Sequence, residues 1–173
     1  MGRLTGLTAG VLAWLGALVS PAPTLDTPNE RVTLAGLTGV HVVVEEVLPE
    51  AERDGLTRAA LQTEVEQRVR RAGLRVLTAT DAMASVGRPT VTVRVTLLRP
   101  RETPQLYVFG VDLTLRQQIR LVRDRGIESF AITWSETRDV GAVPAARLAA
   151  VRDAVRAKVD RFLNAWQTVN QDR

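Results

Sequence analysis

The segment "LYVFGVDLTLRQQIRL", from Leu106 to Leu121, constrains the fold more than any other stretch of the chain. Every second residue is apolar at Tyr107, Phe109, Val111, Leu113 and Leu115, and the same set continues with Gln117, Ile119 and Leu121. The interleaved set, Val108, Gly110, Asp112, Thr114, Arg116, Gln118 and Arg120, grows steadily more polar and basic. A period of two over this length means a strand with one buried face and one wet face. Such a strand needs neighbours to pair with and a second layer over its oily face.

The neighbours are legible. "GVHVVVEEVLP" reads as a first strand, dense in β-branched residues and closed by Pro49. "LRVLTATDA" reads as a second strand, followed by a "MASVGRP" loop. "TVTVRVTLLR" is a third, with Val91, Val93, Val95 and Leu97 on one face and Thr92, Arg94 and Thr96 on the other. The segment from Leu106 is the fourth, extending to Val122, and "RDRGIE" is the turn after it. "SFAITWSETR" is the fifth, placing Phe130, Ile132 and Trp134 on one face and Ala131, Thr133 and Ser135 on the other.

Two helices supply the cover. Thr57 is suited to an N-cap, Leu56 and Leu61 to a hydrophobic staple, and Leu61, Val65, Val69 and Ala72 form a narrow stripe that Gly73 ends. Near the C-terminus, Leu148, Val151, Val155, Val159, Phe162, Trp166 and Val169 alternate spacings of three and four. "DVGAVP" is expected as the loop before this helix, with Pro144 in its first turn. The fold expected is α+β, a two-layer sandwich. A mostly antiparallel sheet of about five strands, in the order β-α-β-β-β-β-α, carries both helices on one face. The helix between the first two strands makes a right-handed crossover, so those strands run parallel.

At the N-terminus Arg3 precedes an apolar run from Leu4 to Val19, short for a membrane span and suited to a secretory signal, with small residues at Ser20 and Ala22. Residues 1–22 are expected as a signal peptide or retained anchor (residues 4–19), and 23–37 as a proline-rich linker ending in a short edge segment, "RVTLAGL". Residues 38–170 make one α+β domain. The compartment implied is periplasmic or secreted.

Chemistry is sparse. The 173 residues contain no cysteine, one histidine and a net charge of +4, with a single lysine, Lys158, among the basic residues. Thiolate chemistry is excluded, and no cofactor or metal is called for. His41 would have to serve any histidine-based triad or metal site. Glu45 and Glu46 are adjacent on a strand, so they face opposite ways and cannot act together. There is no phosphate loop and no nucleophile elbow. Nucleic acid is not expected as a partner, because the aromatic content is low and the net charge modest.

The stretches "LPEAERDGLTRAALQTEVEQRVRRAGLRVL", "LYVFGVDLTLRQQIRLVRD", "ITWSE" and "VRDAVRAKVDRFLNAWQTVN" resemble an uncharacterised family of small exported bacterial proteins. The element order is also similar to the lipoprotein of the lipopolysaccharide-transport translocon, the curli secretion lipoprotein and the N-terminal domain of the Tol-Pal propeller protein. The resemblance implies a domain that binds partners in the cell envelope, and it transfers no residue.

The function expected is therefore that of a non-catalytic exported cell-envelope protein that binds a protein or an anionic envelope component. Arg94, Arg116, Gln118 and Arg120 on the polar sheet face are the candidate binding residues, joined by Thr133, Ser135 and Thr137. Peripheral membrane association and a homodimer through a sheet edge are compatible with this reading. The alternatives are a carrier of an apolar ligand held near Gln117 and Trp166, and a hydrolase built on carboxylates.

Overall fold

A computed structural model describes residues 27–171, with the side chains of 137 and 138 excepted. The expected signal segment, 1–22, lies outside the described residues. The elements are α1 (Pro28–Val32), β1 (Gly39–Val44), α2 (Pro49–Arg53), α3 (Arg58–Arg71), β2 (Arg75–Val76), α4 (Ala79–Ala84), β3 (Thr90–Leu98), β4 (Leu106–Leu121), β5 (Asp124–Pro144) and α5 (Ala149–Asn170). A short 3-10 turn, Ala145–Arg147, leads into α5.

The five strands form one sheet in the order β2-β1-β3-β4-β5. β1 runs parallel to β2 and to β3, while β3, β4 and β5 form the antiparallel meander. The α+β sandwich expected from the alternation is thus the observed architecture. Its core lies between one sheet face and helices α3 and α5, and includes Val42, Val93, Leu113, Trp134, Val65 and Phe162. Trp134 and Phe162 meet edge to face with centroids 5.2 Å apart, worth about 1 kcal/mol beyond their burial.

Helix α3 starts where its sequence says. The Thr57 hydroxyl accepts from the Ala60 amide, Leu56 and Leu61 are both buried, and Gly73 takes a φ of +90° just past the end. α3 and α5 are tied to each other by Arg156 on Glu64 and by Arg68 on Asp160 at 2.6 Å.

Several expectations are corrected. "RVTLAGL" is not an edge segment: Thr27 and Glu30 form a capping box, Pro28 opens a helical turn, and Leu34 behind it is wholly buried. β2 shrinks to two residues because Thr78 caps α4 in a second capping box with Asp81. The "EAERDG" loop contains the short helix α2. "DVGAVP" is the end of β5, paired with β4 from Leu106↔Pro144 to Val111↔Asp139. Gly141 there leaves room for the ring of Phe109 opposite, since a Cβ would stand 2.8 Å from it.

Two irregularities in the β4–β5 ladder matter most for the site. Leu115 faces Trp134 but Arg116 faces Ile132, so Thr133 is an extra residue and the strand side chains switch faces there. Val111 faces Asp139 but Leu113 faces Glu136, a second shift. Glu136 and Asp139, three apart, consequently share the core-side face, where α5 answers them with Lys158 and Arg161.

Candidate functional site

The sheet face away from α3 and α5 is built by alternation in β3 and β4 and by the Thr133 bulge in β5. A regular strand would carry Phe130 and Ile132 on the same face as Trp134. Instead Phe130 pairs with Gln118 and Ile132 with Arg116, so both stand on the polar face. Ile132 is 60% exposed and Phe130 43%. Thr133 leaves that face: its hydroxyl accepts from the Gln117 amide at 2.8 Å, and its carbonyl accepts from Thr33 at 3.0 Å. Ser135 does stand there, opposite Thr114. The side chain of Thr137 is outside the described residues.

The four candidate binding residues do not form one cluster. Arg94 faces Asp112 in the ladder, whereas Arg116 faces Thr90. Four residues along a strand separate the two positions by about 13 Å. Arg94 is also occupied, donating in bidentate fashion to Glu45 at 2.6 and 2.9 Å. Those hydrogen bonds hold the Glu45 carboxyl below its usual range. Arg116, Gln118 and Arg120 stand at every second position on one face of β4, with about 13 Å between the two arginines as well, and only Gln118 and Arg120 meet on a shared partner. Gln118 and Arg120 share Glu128 as acceptor, with Arg120 Nε at 2.8 Å. The Arg116 guanidinium lies over the Phe130 ring at 5.2 Å.

Beyond them the hairpin ends in a basic tip. The turn is Val122–Arg123, closed by Leu121↔Asp124. The next pair is Arg120↔Glu128, so residues 125–127 are extra on β5 and bulge outward. The segment before β3 comes alongside: the Gln118 amide donates to Gly87 O at 2.7 Å. Met83, Val86, Arg88, Ile119 and Arg120 line a cleft of about 640 Å³ there. Arg88 has a φ of +45°, a left-handed conformation that an arginine adopts at a cost of about 1 kcal/mol. The hairpin end thus holds Arg120, Arg123 and Arg125, with Arg88 alongside, against two acids, Asp124 and Glu128, and Arg116 stands further down the same face.

Elsewhere the candidate chemistry has ordinary partners. His41 Nδ1 meets the carbonyl of Leu77 at 3.1 Å. Among the described residues no cluster of His, Asp and Glu is placed to hold a metal ion, and no helix is long and apolar enough to cross a membrane. Between Gln117 and Trp166 lies the chain's own 33–37 segment. Gln117 donates to Thr33 O, and Trp166 Nε1 donates to Leu37 O at 2.8 Å. Lys158 is fully buried beside Asp139, Nζ to Oδ2 at 3.2 Å, and burial holds its ammonium below the usual lysine range.

Of the two sheet edges, one is sealed. Past the short β2, Gln62 takes the place of a neighbouring strand: its amide accepts from Val44 N at 2.9 Å and donates to Val42 O at 2.8 Å. Arg58 Nε caps Val44 O at 2.7 Å. β5 forms the other edge.

Sequence reasoning misses Arg88, Arg123, Arg125, Phe130 and Ile132 as members of this surface. The arginines stand in plain view in "VGR" and "RDRG", but in segments that read as loops. The two apolar residues are hidden by a bulge that composition does not announce.

Neither a protein-family model nor a curated protein matches the chain. Among solved structures, a dodecamer of a PelC variant from Paraburkholderia phytofirmans is 17% identical with a TM-score of 0.39, covering 76% of this chain and 92% of its own. A minor lipoprotein from Acinetobacter baumannii is 13% identical with a TM-score of 0.25, covering 77% and 93%. At these scores neither carries an argument about this chain.

Proposed function

We propose that this is a non-catalytic exported protein of the bacterial cell envelope that binds an anionic envelope component at the end of its β4–β5 hairpin. One observation carries the reading. Arg123 and Arg125 stand together at the turn, with Arg88 on the adjoining segment, and none of the three has a carboxylate partner among the described residues, whereas the other unpaired arginines, Arg71, Arg101 and Arg147 among them, lie on different elements. Guanidinium groups left unpaired beside one another repel, and an anion relieves that repulsion while accepting bidentate hydrogen bonds. Export is supported by the character of residues 1–22, and the envelope by the similarity of the element order to that of envelope-assembly proteins. Arg94 drops out of the binding set, since Glu45 already neutralises it. Arg120 is likewise held by Glu128, and Arg116, about 20 Å along the strand from Arg123, stands with Gln118 at the margin of the set.

Fractionation of the native host tests the reading. The account expects the protein in an extracytoplasmic fraction, held on envelope material and released as salt is raised, because exposed charges are screened within about 8 Å at physiological ionic strength. Recovery from the cytoplasm would contradict export, and salt-independent retention would contradict an electrostatic partner.

A further inference from the structure

Resting on the anion-binding reading of the hairpin end, we infer that its anionic partner is a lipid bilayer surface, into which the tip inserts its apolar side chains. The cations alone would suit any polyanion. What selects a bilayer is the apolar group set among them. Val122 is 95% exposed at the turn and Val86 wholly exposed on the adjoining segment. Ile127 stands in the bulged residues next to the turn and is partly exposed. A soluble polyanion gains nothing from these side chains. A bilayer takes them up below its headgroups, while flanking arginines hold the phosphates.

The placement fits this use. Val122 and Arg123 are the two turn residues, and the extra residues 125–127 bring Arg125 and Ile127 to the same tip. Two arginines, with Asp124 between them, are therefore flanked by apolar Val122 and Ile127 within one short loop at the far end of a long hairpin. Arg88, held at positive φ, sits on the segment that carries Val86 against that hairpin.

Flotation of the full chain with phosphatidylglycerol-containing vesicles, with pure phosphatidylcholine vesicles and with soluble dextran sulfate tests the inference. The expected result is flotation with the anionic vesicles alone. It should weaken about fivefold for Arg123→Gln and about tenfold for Val122→Ser with Ile127→Ser. All three positions are exposed, so the folded state should keep its circular dichroism and melting temperature. Binding to dextran sulfate without flotation, or flotation indifferent to the two serines, overturns insertion and leaves the anion-binding reading standing. Binding to neither vesicle nor polymer overturns both.

Discussion

The Arg116 guanidinium sits over the ring of Phe130, 5.2 Å from its centroid, on the sheet face that the core helices leave open. Phe130 can be there only because Thr133 is an extra residue that turns the strand over. The contact holds a cation in place while leaving its hydrogen-bonding edge for a ligand. An exposed cation–π pair contributes about 0.5–1 kcal/mol. Phe130→Ser should therefore lower stability by no more than about 1 kcal/mol, read from urea denaturation, while reducing retention on an anionic matrix. Unchanged retention would mean that the ring does not position Arg116 for binding.

Arg88 separates structure from function. Glycine accepts a φ of +45° freely, so Arg88→Gly should leave the melting temperature unchanged or raise it slightly. The same variant should weaken binding to an anionic matrix. A fall in melting temperature with binding intact would assign Arg88 a structural role instead.

The sealed edge makes a second kind of claim. Gln62 satisfies Val42 O and Val44 N as a strand would. Gln62→Ala should cost about 2 kcal/mol, since two backbone groups lose their partners. It should also expose a strand edge and promote self-association, visible by size-exclusion chromatography. A variant that remains monomeric and fully stable would show the seal to be dispensable.

The charge network around the buried Lys158, with Asp139 half-exposed beside it, predicts an asymmetry. Lys158 is enclosed beside Asp139, with Glu136 and Arg161 completing the group. Asp139→Ala leaves the ammonium without that carboxylate and should destabilise by about 3 kcal/mol, while Lys158→Met should change stability by less than about 1 kcal/mol or raise it. Equal losses from both substitutions, measured by thermal unfolding, would contradict this account of the pair.

Acid should weaken one strand-to-strand tie. Hydrogen bonding from Arg94 lowers the folded Glu45 pKa from its usual value near 4.5. Its contribution is then present above about pH 4.5 and lost as pH falls through the lowered value. Arg94→Gln should flatten that part of the acid limb in a stability-against-pH series, whereas an unaltered limb would mean that the ion pair adds nothing.

The alternation at 106–121 made the sheet, its core face and the two covering helices legible, because burial imposes a period that substitution cannot hide. Local punctuation is also present in the sequence but is easily outweighed. "TPNE" and "TATD" each spell a capping box, yet proline richness around the first and strand-like residues before the second favour linker and strand. The site was half legible. Arg116, Gln118 and Arg120 follow from period two, whereas the neutralisation of Arg94 depends on a partner from another strand, and the arrival of Phe130 and Ile132 depends on a bulge. A bulge is one added residue with no compositional mark, and it inverts every side chain beyond it.

The most direct measurement compares two triple variants of equal net charge on an anionic matrix. One carries Arg88, Arg123 and Arg125 changed to glutamine at the hairpin end. The other carries Arg71, Arg101 and Arg147 changed likewise, all exposed and away from it. The account predicts that the first loses retention and the second keeps it. Equal loss from both would show that net charge rather than the hairpin end governs binding, and would contradict the account.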